Sequence, residues 1–214
     1  MLRYDAVLFD VDGTLLHTRP GIEASFAHAF RQMGLDPAGI DLGAYLGPPL
    51  RWSFGRHFAD PADVERAVEA YRAHYAAVGS HLCRPYPGVA GLLACLREAG
   101  VFLATATSKP VEVVTPILRE QGLAEAFDLI GGASMDASVD TKTAVIRAVL
   151  ADERLAGKRV LMVGDRQDDM RGAADCGLAA AAVLYGYGSR AELAPWKPVF
   201  FAESPEQLGR SILQ

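Results

Sequence analysis

Residues 8–16 read LFDVDGTLL: an apolar run ends in Asp10, a second acid follows at Asp12, and Gly13 and Thr14 come at once. A short apolar run closed by a glycine turn reads as a buried strand, with the two carboxylates at its mouth. Acids in such a place are costly unless their charge is neutralised or used. An EF-hand loop would need glycine at position 15 and glutamate at 21, where the chain has Leu15 and Gly21.

Working outward, further strand-like segments recur at 101–107, 127–132, 159–164, 179–185 and 198–202. Between them lie GVAGLLACLREAG, PVEVVTPILREQG, TKTAVIRAVLADE and DMRGAADCG, with apolar residues near a 3.6 period and several closing glycines. This alternation predicts an α/β fold, a doubly wound and mostly parallel sheet with helices on both faces. Residues 17–83 break the pattern. They carry one apolar stripe of Ile22, Phe26, Ala29, Phe30 and Met33 and another of Val64, Ala67, Val68, Tyr71 and Tyr75, which predicts an inserted small helical bundle. The core is then 1–16 and 84–214, and CRPYPGV (83–89) reads as a stiff hinge between the two.

At 214 residues, half of them apolar, the chain can bury a sizeable core. Its formal charge of −5 and lack of a basic run argue against nucleic-acid or membrane-surface partners. Three cysteines (Cys83, Cys95 and Cys176) without CxxC spacing fit thiols in a reducing compartment, and the N-terminal stretch is too short and too acidic for a signal peptide. A cytoplasmic protein is expected, as a monomer or a homodimer.

In a doubly wound sheet, ligands bind at the carboxyl ends of the strands. Those ends hold Asp10 and Asp12, Thr107 and Ser108, and Asp165 with Asp168 and Asp169 just beyond; Lys142 opens the helix before the last of these strands. Several carboxylates at one edge call for a cation, and all-oxygen ligation suits Mg²⁺. Thr107, Lys142 and the backbone N–H groups of the turn at Gly13 would complete a cradle for a tetrahedral dianion. Such a set suits phosphoryl transfer: Asp10 attacks phosphorus, and Asp12, on the same side of an extended segment, moves protons to and from the leaving and attacking oxygens. Lys109, two residues after Thr107, is a rival to Lys142 for the phosphate. Asp168 reads as a helix-start acid, and the five histidines (17, 28, 57, 74 and 81) read as packing or solvated groups.

Asp10-Val11-Asp12-Gly13-Thr14, Thr107, Lys142 and Gly164-Asp165-Arg166-Gln167-Asp168-Asp169 resemble, in order and spacing, the four motifs of the haloacid dehalogenase-like hydrolases. The resemblance implies a Rossmann-like core, Asp10 as nucleophile and metal ligand, and Asp12 as acid/base and as a ligand through its carbonyl. It also implies Thr107 and Lys142 on the phosphoryl group, Asp165 on the metal, and Asp169 in support. The long helical insert before Thr107, and only 34 residues between Thr107 and Lys142, resemble the phosphoglycolate phosphatase-like branch with its helical cap. Gly13 and Ser108 are read as substrate contacts, and so is Arg51 in GPPLRWSF, which reads equally as a surface arginine at a helix start; the reaction the resemblance implies is Mg²⁺-dependent hydrolysis of a small phosphate monoester. A β-phosphoglucomutase-type mutase, a pyrophosphatase or 5'-nucleotidase, and a non-catalytic phosphate-binding protein are the alternatives. Ser108, Thr143 and Arg166 depart from the commoner pattern.

Overall fold

The computed structural model describes residues 3–136 and 138–214; Met1 and Leu2, which begin the predicted core segment 1–16, and Ala137 lie outside the described residues. The chain divides into two compact units, one running up to His17 and resuming over Pro85–Gln214, the other Thr18–Arg84. In chain order the elements are β1 (Ala6–Phe9), β2 (Leu16–His17), α1 (Arg19–Gln32), α2 (Leu50–Gly55), α3 (Pro61–Ala77), β3 (Arg84–Pro85) and α4 (Val89–Glu98). They continue with β4 (Phe102–Pro110), α5 (Val111–Glu120), β5 (Leu129–Ala133), α6 (Lys142–Leu150) and β6 (Val160–Gly164). The last are α7 (Gln167–Asp175), β7 (Ala179–Val183), α8 (Arg190–Leu193), β8 (Phe201–Ala202) and α9 (Pro205–Leu213).

The first unit is built on a six-stranded sheet in the order β5-β4-β1-β6-β7-β8, and every pair is parallel. A strand buried on both faces needs an uninterrupted apolar sequence, and β1, AVLF, is fully buried. Ala6 and Leu8 pack with Ala104, Ala106, Met162 and the α6 residues Val145 and Ile146 on one face. Phe9, pointing to the other face, meets Phe127 edge-on. From β1 the chain runs outward to β4 and β5, then returns to the opposite side of β1 for β6. The strand order therefore reverses at β1, which puts the ligand-binding crevice at the carboxyl end of β1, between β4 and β6.

Strand ends differ from expectation: the segment 179–185 is a strand only over Ala179–Val183, and two other strands depart further. The segment 198–202 pairs as a strand only at Phe201–Ala202, because it is the sheet edge and starts at Pro198. β4 runs past Thr107 to Pro110, but its register with β5 breaks there: Thr107 faces Gly132, and the next paired residue is Pro110. Ser108 and Lys109 occupy this bulge, which re-aims the chain at the strand end.

The second unit is helical. Asp60 caps α3 by accepting from Ala62 N–H, and Pro61 takes the first helical position, where a missing N–H costs nothing. Phe26 sits at its centre, with ring centroids of Tyr71, Tyr45 and Phe54 at 4.8, 5.0 and 5.0 Å. Ile22, Phe26, Ala29, Phe30, Ala67, Val68, Tyr71 and Tyr75 are buried, while Met33 and Val64, at the ends of the predicted stripes, are half-exposed. Among the described residues no helix is long and apolar enough to cross a membrane.

Candidate active site

Each polar residue at the crevice is carried there by an apolar element. Asp10 continues the β1 ladder, its N–H donating to Val163 O at 2.9 Å. Asp165 directly follows β6. α6 is capped by Thr141, whose hydroxyl accepts from Ala144 N–H, and its Val145, Ile146 and Val149 lie against the sheet. That packing brings Lys142, in the first turn, over the strand ends. Its ammonium donates to Asp10 Oδ1 at 2.7 Å and to Ala106 O at 2.9 Å, and lies 2.8 Å from Asp169 Oδ1. The last contact is an ion pair outside hydrogen-bond alignment, so Asp169 Oδ1 has a charge partner but no directed hydrogen bond.

Asp165 is fully buried and has a donor on each oxygen: Thr14 Oγ1–H to Oδ1 at 3.2 Å and Tyr187 N–H to Oδ2 at 2.7 Å. Asp169 Oδ2 accepts from Arg166 N–H at 3.0 Å and so also closes the start of α7. One oxygen from each of Asp10, Asp165 and Asp169 falls within a 4.8 Å cluster. Three buried carboxylates against one buried ammonium leave the cluster short of positive charge. Burial, with Lys142 opposing and Asp169 and Asp12 adding to it, pushes Asp10 up to about 7. Burial, then Asp169 and Asp10, raise Asp165 well above the usual carboxylate range. Burial alone would lower Lys142, but the two carboxylates together outweigh it and hold the lysine above its ordinary value. Oxygen donors with a deficit of positive charge are what a hard divalent cation requires, so the residues present fit a metal.

The structure gathers Asp10, Asp12, Thr107, Lys142, Asp165 and Asp169 at this edge and separates the two candidate lysines. Lys142 holds Asp10, whereas Lys109 Nζ donates to Asp12 Oδ1 at 2.8 Å. Gly13 differs from expectation. Its N–H donates to Leu16 O, and those of Thr14 and Leu15 to Val11 O, so these groups close the turn instead of lining an anion cradle. What Gly13 supplies is close approach: its φ is +87°, and a Cβ there would stand 2.3 Å from Asp165 Oδ2. Ser108 is exposed at the bulge, and Thr107 is buried with its hydroxyl accepting from Lys109 N–H at 3.2 Å. Arg51 belongs to the helical unit, on α2, where both arms of its guanidinium go to Glu65. Asp168 pairs with Arg171 on the surface.

Two of the three departures from the commoner motif pattern have side-chain partners. Arg166 Nε donates to Glu192 and Thr143 Oγ1 to Asp175, both at 2.9 Å. Sequence reasoning missed the loop after β7, Tyr185-Gly186-Tyr187-Gly188. It supplies the N–H on Asp165, and a Cβ at Gly186 would meet Gly13 O at 2.3 Å. The alternating glycines were the available signal. His17 belongs with the sheet unit, its ring beside Tyr86 and Tyr187, whereas His28 stacks on His74, and Tyr45 reaches His57, within the helical unit.

Comparison with known proteins agrees with the geometry. The chain is 41% identical over 183 residues to Tyrosine-protein kinase PtkA of Mycobacterium tuberculosis, covering 85% of this chain but 62% of that protein, less than two thirds of its length. It is 37% identical to a 5'-nucleotidase of Pseudomonas aeruginosa, over 100% of this chain and 97% of that one. The crystal structure of a predicted phosphatase from Clostridium acetobutylicum superposes with a TM-score of 0.90 at 34% identity, covering 98% of both chains. The family model described as haloacid dehalogenase-like hydrolase matches residues 7–183, so the chain belongs to the haloacid dehalogenase-like hydrolases.

Proposed function

We propose that this protein is a Mg²⁺-dependent phosphatase that hydrolyses small phosphate monoesters through a phosphoryl group carried on Asp10. The observation that carries the reading is the buried Asp10–Lys142–Asp169 arrangement with Asp165 beside it, at the sheet's switch point. Names of relatives, among them 5'-nucleotidase, support a phosphate-ester substrate. A carboxylate oxygen of Asp10 attacks phosphorus as the bond from phosphorus to the leaving oxygen breaks, and Asp12 gives that oxygen a proton. Asp12 then takes a proton from water, whose oxygen bonds to phosphorus while the Asp10–phosphorus bond breaks. The reaction releases inorganic phosphate and restores both acids.

Lys142 favours the ionised form of Asp10 and holds it in place, and we assign Thr107, buried at this end of β4, to the phosphoryl oxygens. Asp10, the backbone carbonyl of Asp12, and Asp165 would hold the metal, with Asp169 in support. When bound, the ion offsets charge that builds on the transferring group. We extend the proposal to residues 17–83 as the cap that selects the ester, with Arg51 as a candidate substrate contact. Asp10→Asn is expected to abolish Mg²⁺-dependent phosphate release from p-nitrophenyl phosphate, and retained release refutes the mechanism. The likeness to PtkA supports a second reading, transfer of the same phosphoryl group to a protein hydroxyl. Its signature is Asp10-dependent labelling of protein from γ-labelled ATP.

A further inference from the structure

We infer that Lys109 is the positioning residue for the proton-transfer step: it fixes Asp12 and Thr107 together. This rests on the phosphatase reading above. Lys109 stands in the β4 bulge, where the register with β5 shifts between Thr107 and Pro110. Two bonds run from it into the site. Its N–H donates to Thr107 Oγ1 at 3.2 Å, which uses an acceptor site of that hydroxyl and leaves the hydroxyl's own hydrogen to be directed elsewhere. Its ammonium, 11% exposed, donates to Asp12 Oδ1 at 2.8 Å.

With Oδ1 tied, Oδ2 is the oxygen left to move the proton, and the carboxylate's rotation is removed. Asp12 needs such a tether more than its neighbour does, because its side chain is 23% exposed against 10% for Asp10. Lys142 is already committed elsewhere: its ammonium donates to Asp10 and Ala106 O and is ion-paired with Asp169. The two lysines therefore divide the work, Lys142 serving the attacking carboxylate and Lys109 the proton carrier.

A positioning role predicts a leaving-group signature that general damage to the site does not. A p-nitrophenolate departs without a proton, whereas the alkoxide of glycerol 2-phosphate needs one. In the full-length protein with Mg²⁺, Lys109→Gln should release the first equivalent of p-nitrophenol within about threefold of the wild-type rate. Steady-state turnover, which needs Asp12 to deprotonate water, and glycerol 2-phosphate hydrolysis should each fall about 10- to 100-fold, at or below the lower end of what a general acid–base residue contributes, because Asp12 itself remains. Lys109→Arg, which can still donate to Asp12, should recover most of the loss on glycerol 2-phosphate, and melting curves of both variants check that they fold. A loss of equal size in the burst, the steady state and the alkyl ester overturns the proposal, as does no loss at all or a failure of Lys109→Arg to rescue in a folded protein. If Asp10→Asn keeps wild-type turnover, the phosphatase reading itself has failed, and this inference falls with it.

Discussion

The Lys142 ammonium donates to Asp10 and to Ala106 O and pairs with Asp169, and nearly everything else at the strand ends follows from that arrangement. A buried ammonium is tolerable because two buried carboxylates face it, and those carboxylates are tolerable only while it is there. Lys142→Met removes the cation and leaves the acids unbalanced. Breaking a buried pair from one side costs about 3–5 kcal/mol, so the variant's denaturation midpoint should drop sharply. Its kcat should fall at least 100-fold, since Asp10 loses both its orientation and its charge partner. Wild-type-like values for both would show that the ammonium is dispensable. The gathering of Asp10, Asp12, Lys142 and Asp165 at one sheet edge was legible in the sequence because charged groups at strand ends carry a cost that must be offset. The pairing of Lys109 with Asp12 was not legible, since two lysines can reach one strand edge and only the bulge after Thr107 decides between them.

At the level of elements, β1, β4, β5, β6 and β7 could be read from apolar runs because each lies in a sheet packed from its faces. β8 could be read only in part, because an edge strand of two paired residues leaves little pattern. The insertion was legible as helices, yet α2 was not: its six residues are too few for a periodic stripe, and only Ser53 and Phe54 are buried. The loop after β7 was missed for a different reason. It is irregular, and its work is done by backbone, so no side-chain chemistry announces it. The glycines there are a steric requirement. Gly186→Ala would place a methyl 2.3 Å from Gly13 O and 2.5 Å from Asp165 Cβ. The loop must then move away, taking Tyr187 N–H from Asp165. Overpacking of this kind costs about 1–3 kcal/mol, and activity should fall further than stability does, because the displaced bond ends on a site carboxylate. A thermal melt beside a kcat measurement checks it; unchanged activity would mean that the loop only fills space.

The whole molecule places a buried cluster of negative charge at the ends of its central strands, and so couples stability to pH and to cations. Asp10 titrates from its ordinary value near 4 in the unfolded chain to about 7 when folded. Between those values the folded protein keeps a proton that the unfolded chain has shed, so the contribution of Asp10 to stability falls as pH rises through the window and levels off above it. For one group shifted that far the loss is a few kcal/mol. A cation bound among the ionised acids reverses this loss, whereas at low pH it must compete with the proton. Added Mg²⁺ should therefore raise the melting temperature clearly at pH 8 and little at pH 5. Equal shifts at the two values would place the binding elsewhere.

The central claim is that phosphoryl transfer passes through Asp10, and the direct measurement is to trap it. Turnover of a phosphate monoester with Mg²⁺, quenched in acid and reduced with borohydride, converts an acyl phosphate to the alcohol, and peptide mass spectrometry locates the residue changed. The account predicts homoserine at position 10 and none at 12, 165 or 169. Turnover with an unmodified Asp10, or a modified acid elsewhere, would contradict it.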